Sequence, residues 1–170
     1  ELLCQRLFVM NEVLNNKSKI VVTHASSLIT PLPTKFDFTN ARLTVKVGDR
    51  VNLAQFKTKL IQSGYLNVSK IDQSLQFASR GDILDIFSVN YSKPIRIEFF
   101  DDEIECIHFF DLSSQTSEEE IENVEIIPAT DLLLSEFELE NLKSKIDNQL
   151  SKDIELLEPE LGDNLRYITE

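Results

Sequence analysis

The stretch Ser79-Arg80-Gly81-Asp82-Ile83-Leu84-Asp85-Ile86-Phe87, followed seven residues later by Ile95-Arg96-Ile97-Glu98-Phe99-Phe100-Asp101-Asp102-Glu103-Ile104-Glu105, decides the fold. In the second run Ile95, Ile97 and Phe99 alternate with Arg96 and Glu98, the period of two expected of a strand with one apolar and one polar face. Working outward, strands are expected at 75–79, 82–88, 95–100 and 103–110, separated by two to six residues. Connections this short demand antiparallel pairing, because a parallel crossover needs about a dozen residues or more. Asp101-Asp102 lies between two apolar runs and reads as a tight hairpin turn.

Upstream of this sheet, Leu43, Val45 and Val47 alternate into a strand that ends at Gly48-Asp49. A helix follows from about Leu53 to Ser63, with Asn52 as N-cap, Leu53, Phe56 and Leu60 on one face, and Gly64 placed to end it in a left-handed conformation. Leu2, Leu3, Leu7, Phe8, Met10 and Val13 recur at helical spacing, and a short strand is expected at Ile20-Val21-Val22. Thr30-Pro31 and Pro33-Thr34 read as an extended connector, since proline disfavours helix at itself and at the residue before it. Downstream, Val124 to Ile127 forms a strand ended by Pro128. Leu134, Phe137, Leu139, Leu142, Ile146 and Leu150 outline a charged amphipathic helix. The expected class is α+β, an antiparallel sheet with packed helices.

The chain has 170 residues, 42% hydrophobic and 27% charged, enough apolar mass for one core. No apolar run approaches the ~18 residues of a membrane span, and no signal peptide is evident, so a cytoplasmic location without membrane contact is expected. Cys4 and Cys106, far apart and without CxxC spacing, read as reduced thiols. The first residues look like a helix entered in mid-structure, as in a piece of a longer chain. Net charge is −12, yet residues 1–100 carry 13 Lys+Arg against 8 Asp+Glu, while residues 101–170 carry 4 against 21. That distribution disfavours DNA binding by the whole chain, which would need a concentrated basic surface.

Catalytic patterns are missing. The four glycines are followed by Asp49, Tyr65, Asp82 and Asp163, so none begins a phosphate-cradling P-loop. Cys106 and His108 share a strand face, but two ligands do not complete a tetrahedral metal site, and a neutral strand histidine is the simpler reading. Asp101, Asp102, Glu103 and Glu105 read as a solvated turn rather than an acid/base pair or a magnesium site. Ser113-Ser114 and Thr116-Ser117 lack an identifiable histidine base. No catalytic residue, metal or cofactor is expected in this chain.

Residues 79–87 resemble the RG-x-[LVI]-[LI]-D-[IL]-F signature shared by UvrB and the transcription-repair coupling factor, Mfd. Residues 95–105 resemble that family's R-[IVL]-[ED]-[FL]-F-D-[DE]-E-[IV]-[ED] run. Phe110-Asp111, Ser114-Gln115-Thr116 and Ile126-Ile127-Pro128-Ala129 resemble the coupling-factor version, whereas UvrB usually reads FDPLTG after the sheet. Gln5-Arg6-Leu7, Val21-Val22 and Gly64-Tyr65 extend the likeness upstream.

The resemblance implies a UvrA-interaction domain (UvrB domain 2-like) at 40–112. It would be flanked by partial helicase-like α/β segments, the end of a first subdomain at 1–39 and a strand with an acidic helical segment at 113–170. It implies a docking module for UvrA, the parent being an ATP-dependent DNA translocase whose ATP and magnesium sites, RNA polymerase contact and double-stranded DNA contact lie in other domains. It also implies masking of the UvrA-binding face by a distant part of the parent. Arg80, Arg96 and Glu98 match positions at which the family contacts UvrA, and Phe87 is their apolar neighbour. Asn67 stands where relatives place an arginine after Gly-Tyr, and Ala78 where UvrB has a further arginine. Two other readings stay open: Arg96 and Glu98 as a purely structural cross-strand ion-pair network, and Arg42, Lys46, Arg50, Lys57 and Lys59 as a nucleic-acid contact.

Overall fold

Alternating burial organises the sheet in the computed structural model, which describes residues 2–17, 20–29, 31–133 and 138–152. Residues up to Leu133 form one compact unit and Leu134–Glu170 a second. In the first unit a six-stranded sheet runs in the order β2-β3-β4-β5-β6-β7. Its strands are β2 (Leu66–Asn67), β3 (Gln76–Arg80), β4 (Ile83–Ile86), β5 (Ile95–Phe100), β6 (Glu103–Phe110) and β7 (Ser117–Glu120). A separate ribbon pairs β1 (Leu43–Lys46) with β8 (Asn123–Ile126), setting Val45 against Val124.

Helix α4 (Leu53–Gln62) covers one face of this sheet. Asn52 caps it as the sequence predicts, accepting from the Gln55 amide at 3.0 Å. Gly64 follows the helix at φ +91°, and a Cβ there would meet the Thr130 Cβ at 2.9 Å, so both backbone conformation and space require glycine. Phe56 and Leu60 of α4 share a core with Phe77, Leu84, Ile86, Ile95, Ile97, Ile104 and Ile107. Each of these aliphatic side chains contributes about 1.5–3 kcal/mol relative to an exposed position. Tyr65 closes the end of this core: its buried hydroxyl donates to the Ile127 carbonyl at 2.7 Å and lies 2.9 Å from the Ser88 hydroxyl, and burial pushes its pKa well up.

The four central strands lie within one or two residues of the expected spans and pair antiparallel. Strand β2 departs from the expected purely antiparallel pattern: it runs parallel to β3, making the sheet mixed. Only two residues pair, so the linking segment 68–75 needs no helix. It folds back with Ile71 buried, and the Gln76 side chain accepts from the Asp72 amide at 3.0 Å. Gly81, at φ +60°, takes the first position of the two-residue β3–β4 turn, where a type II′ turn demands a positive φ. Strand β7, Ser-Glu-Glu-Glu, was not expected, because it has no apolar alternation to reveal it.

Upstream, helix α1 (Leu2–Leu14) buries Leu7 and Asn11, and Leu7 packs with Phe38 and Ile127. The expected strand at Ile20-Val21-Val22 is absent; these residues are irregular and exposed, with no neighbouring strand among the described residues to pair with. The extended connector is present at residues 31–34. After α2 (Ala25–Ile29), Thr34 caps a third helix, α3 (Lys35–Asn40), by accepting from the Asp37 amide at 3.1 Å. In the second unit residues 138–152 are helical, carrying Leu139, Leu142, Ile146 and Leu150 of the expected amphipathic helix, while Leu134 and Phe137 lie outside the described residues. No described helix is long and apolar enough to cross a membrane.

Candidate functional site

The sheet face opposite α4 is polar at its centre because of strand parity. Ile95, Ile97 and Phe99 of β5 point into the core, which sends Arg96 and Glu98 the other way. On β4 the same parity places Asp85 directly across from Arg96. The two form a fork: Arg96 Nε donates to one Asp85 oxygen at 2.7 Å and Nη2 to the other at 2.9 Å. The guanidinium also lies 4.5 Å from the centroid of the Phe110 ring. Asp85 thus holds Arg96 more firmly protonated than usual. A planar guanidinium fixed by a carboxylate and an aromatic face is pre-organised, so little side-chain entropy remains to be lost on binding.

Arg80 stands at the end of β3 on the same face, exposed and without an ion pair among the described residues. Arg80, Arg96, Lys70 and Asp85 line one open groove of about 560 Å3, with Ala78 and Gln115 in its walls. Phe87, half-buried, packs on the same face against Ile71, Ala78 and Phe110. Asn67 is not part of this cluster. Its parallel register with Phe77, a core residue, puts it on the opposite face, and β2 lies three strands from β5. Sequence reasoning missed Asp85 as the partner of Arg96, although its parity on β4 carried the signal. Lys70 lies in an irregular loop and left none.

A second cluster adjoins the first. A bulge in the β5–β6 pairing, with Glu98 opposite Cys106 but Phe99 opposite Ile104, makes Glu105 the extra residue. It brings Glu98, Cys106 and His108 together, their ligand-capable atoms all within 4.8 Å. The two metal-ligating types foreseen on one strand thereby gain a third from the next. Burial and the negative charges of Glu98, Glu120 and Glu105 push the Cys106 thiol up. Ser117, expected to lack a histidine, meets one: its hydroxyl lies 2.6 Å from His108 Nε2. Glu98 approaches that same nitrogen, at 3.5 Å, so it is not placed to orient the imidazole from the far side as a nucleophile's base requires.

Two basic residues of the nucleic-acid reading already have acidic partners within the chain. Arg42 is paired with Glu125 at 3.1 Å and stacks near Phe38, and Arg50 reaches Glu103 at 3.8 Å. The acidic hairpin tip is an exposed turn with Asp101 at φ 57°.

The family model of the UvrB interaction domain matches residues 43–132, more than half of the chain and all of the groove. The chain belongs to the UvrB interaction domain family. It is 32% identical over 146 residues to a transcription-repair-coupling factor of Staphylococcus aureus (strain bovine RF122 / ET3-1), covering 86% of this chain and 12% of that relative. It is 30% identical over 157 residues to a transcription-repair-coupling factor of Bacillus subtilis (strain 168), covering 92% of this chain and 13% of the relative. The chain therefore spans about one eighth of the length of these curated relatives. The UvrB interaction domain here includes strands β7 and β8 as well as the central sheet, since both fall inside the matched residues.

Proposed function

We propose that this chain is a non-catalytic docking module of a transcription-repair coupling factor that recruits UvrA through the groove of Arg80 and Arg96. The observation that carries the reading is the pairing of one arginine locked by Asp85 with one unpaired arginine beside it, inside the matched family segment. The locked arginine offers a fixed hydrogen-bonding plane, and the unpaired one a charge available to a carboxylate of the partner. Glu98 extends the charge pattern and Phe87 supplies an apolar border. Such a pattern governs specificity and rate of encounter more than bulk affinity.

On this reading the parent supplies what the chain does not: ATP- and magnesium-dependent translocation on double-stranded DNA, contact with RNA polymerase, and a distant segment that masks the groove until it is needed. Residues before and after the matched segment 43–132 would belong to helicase-like neighbours, and the setting would be cytoplasmic. The pairing of Arg42 with Glu125 and of Arg50 with Glu103 favours protein docking over nucleic-acid contact.

Calorimetric titration of the 170-residue chain with UvrA tests the proposal. Micromolar or tighter binding is expected, lost in Arg80→Ala and Arg96→Ala chains whose folding is verified by circular dichroism. Equal binding by the folded variants, or none by the native chain, would overturn it. A salt-sensitive shift of DNA by this chain would instead support the nucleic-acid reading.

A further inference from the structure

Independently of the groove, we propose that Glu98, Cys106 and His108 form a binding site for a thiophilic divalent transition metal, of which zinc is the best fit. Three chemically different donors converge from two strands: a carboxylate from β5 and, two residues apart on one face of β6, a thiol and an imidazole. This combination of sulfur, nitrogen and oxygen is the one zinc prefers and calcium or magnesium does not.

The geometry is close to closure. Zinc bond lengths near 2.0–2.3 Å in a tetrahedron imply ligand separations of about 3.4–3.6 Å. Cys106 Sγ and His108 Nδ1 are already 3.9 Å apart. The Glu98 carboxylate, half-exposed on a flexible stem, lies 3.5 Å from His108 Nε2, the other ring nitrogen, and would have to rotate toward Cys106 and Nδ1 to join them. Nδ1 faces Cys106, and in the tautomer that leaves Nδ1 free to bind a metal, Nε2–H would donate to the Ser117 hydroxyl 2.6 Å away. A hydrogen bond on the non-ligating nitrogen is what orients a metal-bound histidine and fixes its tautomer. Glu120 is in register with His108 on β7, and a water would complete the fourth position.

Charge favours the same occupant. On binding, the Cys106 thiol loses its proton to solvent as the sulfur–metal bond forms. The thiolate and the Glu98 carboxylate then neutralise a dication. Arg96 stands in register with His108, and its charge is compensated by the fork to Asp85. The carboxylates of Glu98, Glu105 and Glu120, whose field opposes an unbound thiolate, become favourable once a dication is present. The bulge at Glu105 is what places Cys106 opposite Glu98.

The test is a titration of the 170-residue chain, kept reduced by a phosphine, with cobalt(II) and then zinc(II). Cobalt is expected to give a thiolate-to-metal charge-transfer band in the near ultraviolet at one equivalent, removed by zinc. Cys106→Ser abolishes the band, while Cys4→Ser leaves it unchanged. Glu98→Gln, at a half-exposed position that does not endanger folding, and Ser117→Ala each weaken affinity by about tenfold or more. Absence of the band in the native chain, its persistence in Cys106→Ser, or its loss in Cys4→Ser would each overturn the site.

Discussion

The two faces of the six-stranded sheet are built from the same strands, yet they do opposite things. Toward α4, Leu84, Ile86, Ile95 and Ile97 are fully buried and interchangeable in kind, as any close-packed core is. On the other face, Asp85, Arg96, Glu98, Cys106 and His108 each have a named partner at a defined distance. One face is specified by volume and the other, beside its small packed cluster of Ile71, Ala78 and Phe110, by atom-to-atom geometry. Substitutions should therefore separate cleanly, stability changing on the first and binding on the second.

The largest effect belongs to the core. Ile97→Ala removes a side chain with no exposure and should lower unfolding free energy by about 2–5 kcal/mol, read by urea denaturation. A loss under about 1 kcal/mol would mean that the apolar face is not close-packed. Asp85→Ala tests whether the two faces are independent, since it leaves the half-buried Arg96 without its carboxylate. A smaller loss, about 1–2 kcal/mol, is expected because the pair is partly solvated, together with weaker UvrA binding. Arg80→Ala gives the sharpest separation: stability within about 0.5 kcal/mol of the native chain, but UvrA affinity down by about tenfold or more in calorimetry.

The smallest effect lies at the turn beyond β6. The Asp111 carboxylate accepts from the Ser114 amide at 2.8 Å, the Ser114 hydroxyl and the Ser113 amide, with Lys93 nearby, and these hold its pKa below the ordinary value. A carboxyl depressed in the folded state stabilises above its unfolded pKa, and that contribution disappears as pH falls through the folded one. Acid should loosen residues 111–116, seen as faster exchange of the Ser114 amide, and Asp111→Ala should remove this pH dependence.

Sequence reading recovered the central sheet because Ile95, Ile97 and Phe99 state their parity openly. It misread Ile20-Val21-Val22, since a β-branched apolar run signals strand propensity but says nothing of a partner to pair with. It passed over Lys35–Asn40, where the preceding prolines obscured a good N-cap at Thr34. The outward placement of Arg96 and Glu98 was legible through alternation. The meeting of Glu98 with Cys106 and His108 was not, because it depends on the residue inserted at Glu105, and a bulge shifts register without leaving a mark in composition. Asn67 stood in a two-residue strand too short to reveal which face it would take.

Both margins of the sheet also bear on how the chain survives with a face left open to a partner. A bare strand margin templates the addition of further strands, from another copy or from a growing fibril. Here one margin, β2, offers only two residues to extend, and the other, β7, carries three glutamates in four positions, so an approaching copy would meet its own charge. Fibre growth is discouraged at both ends, and the arginine groove can remain available without making the molecule prone to self-assembly.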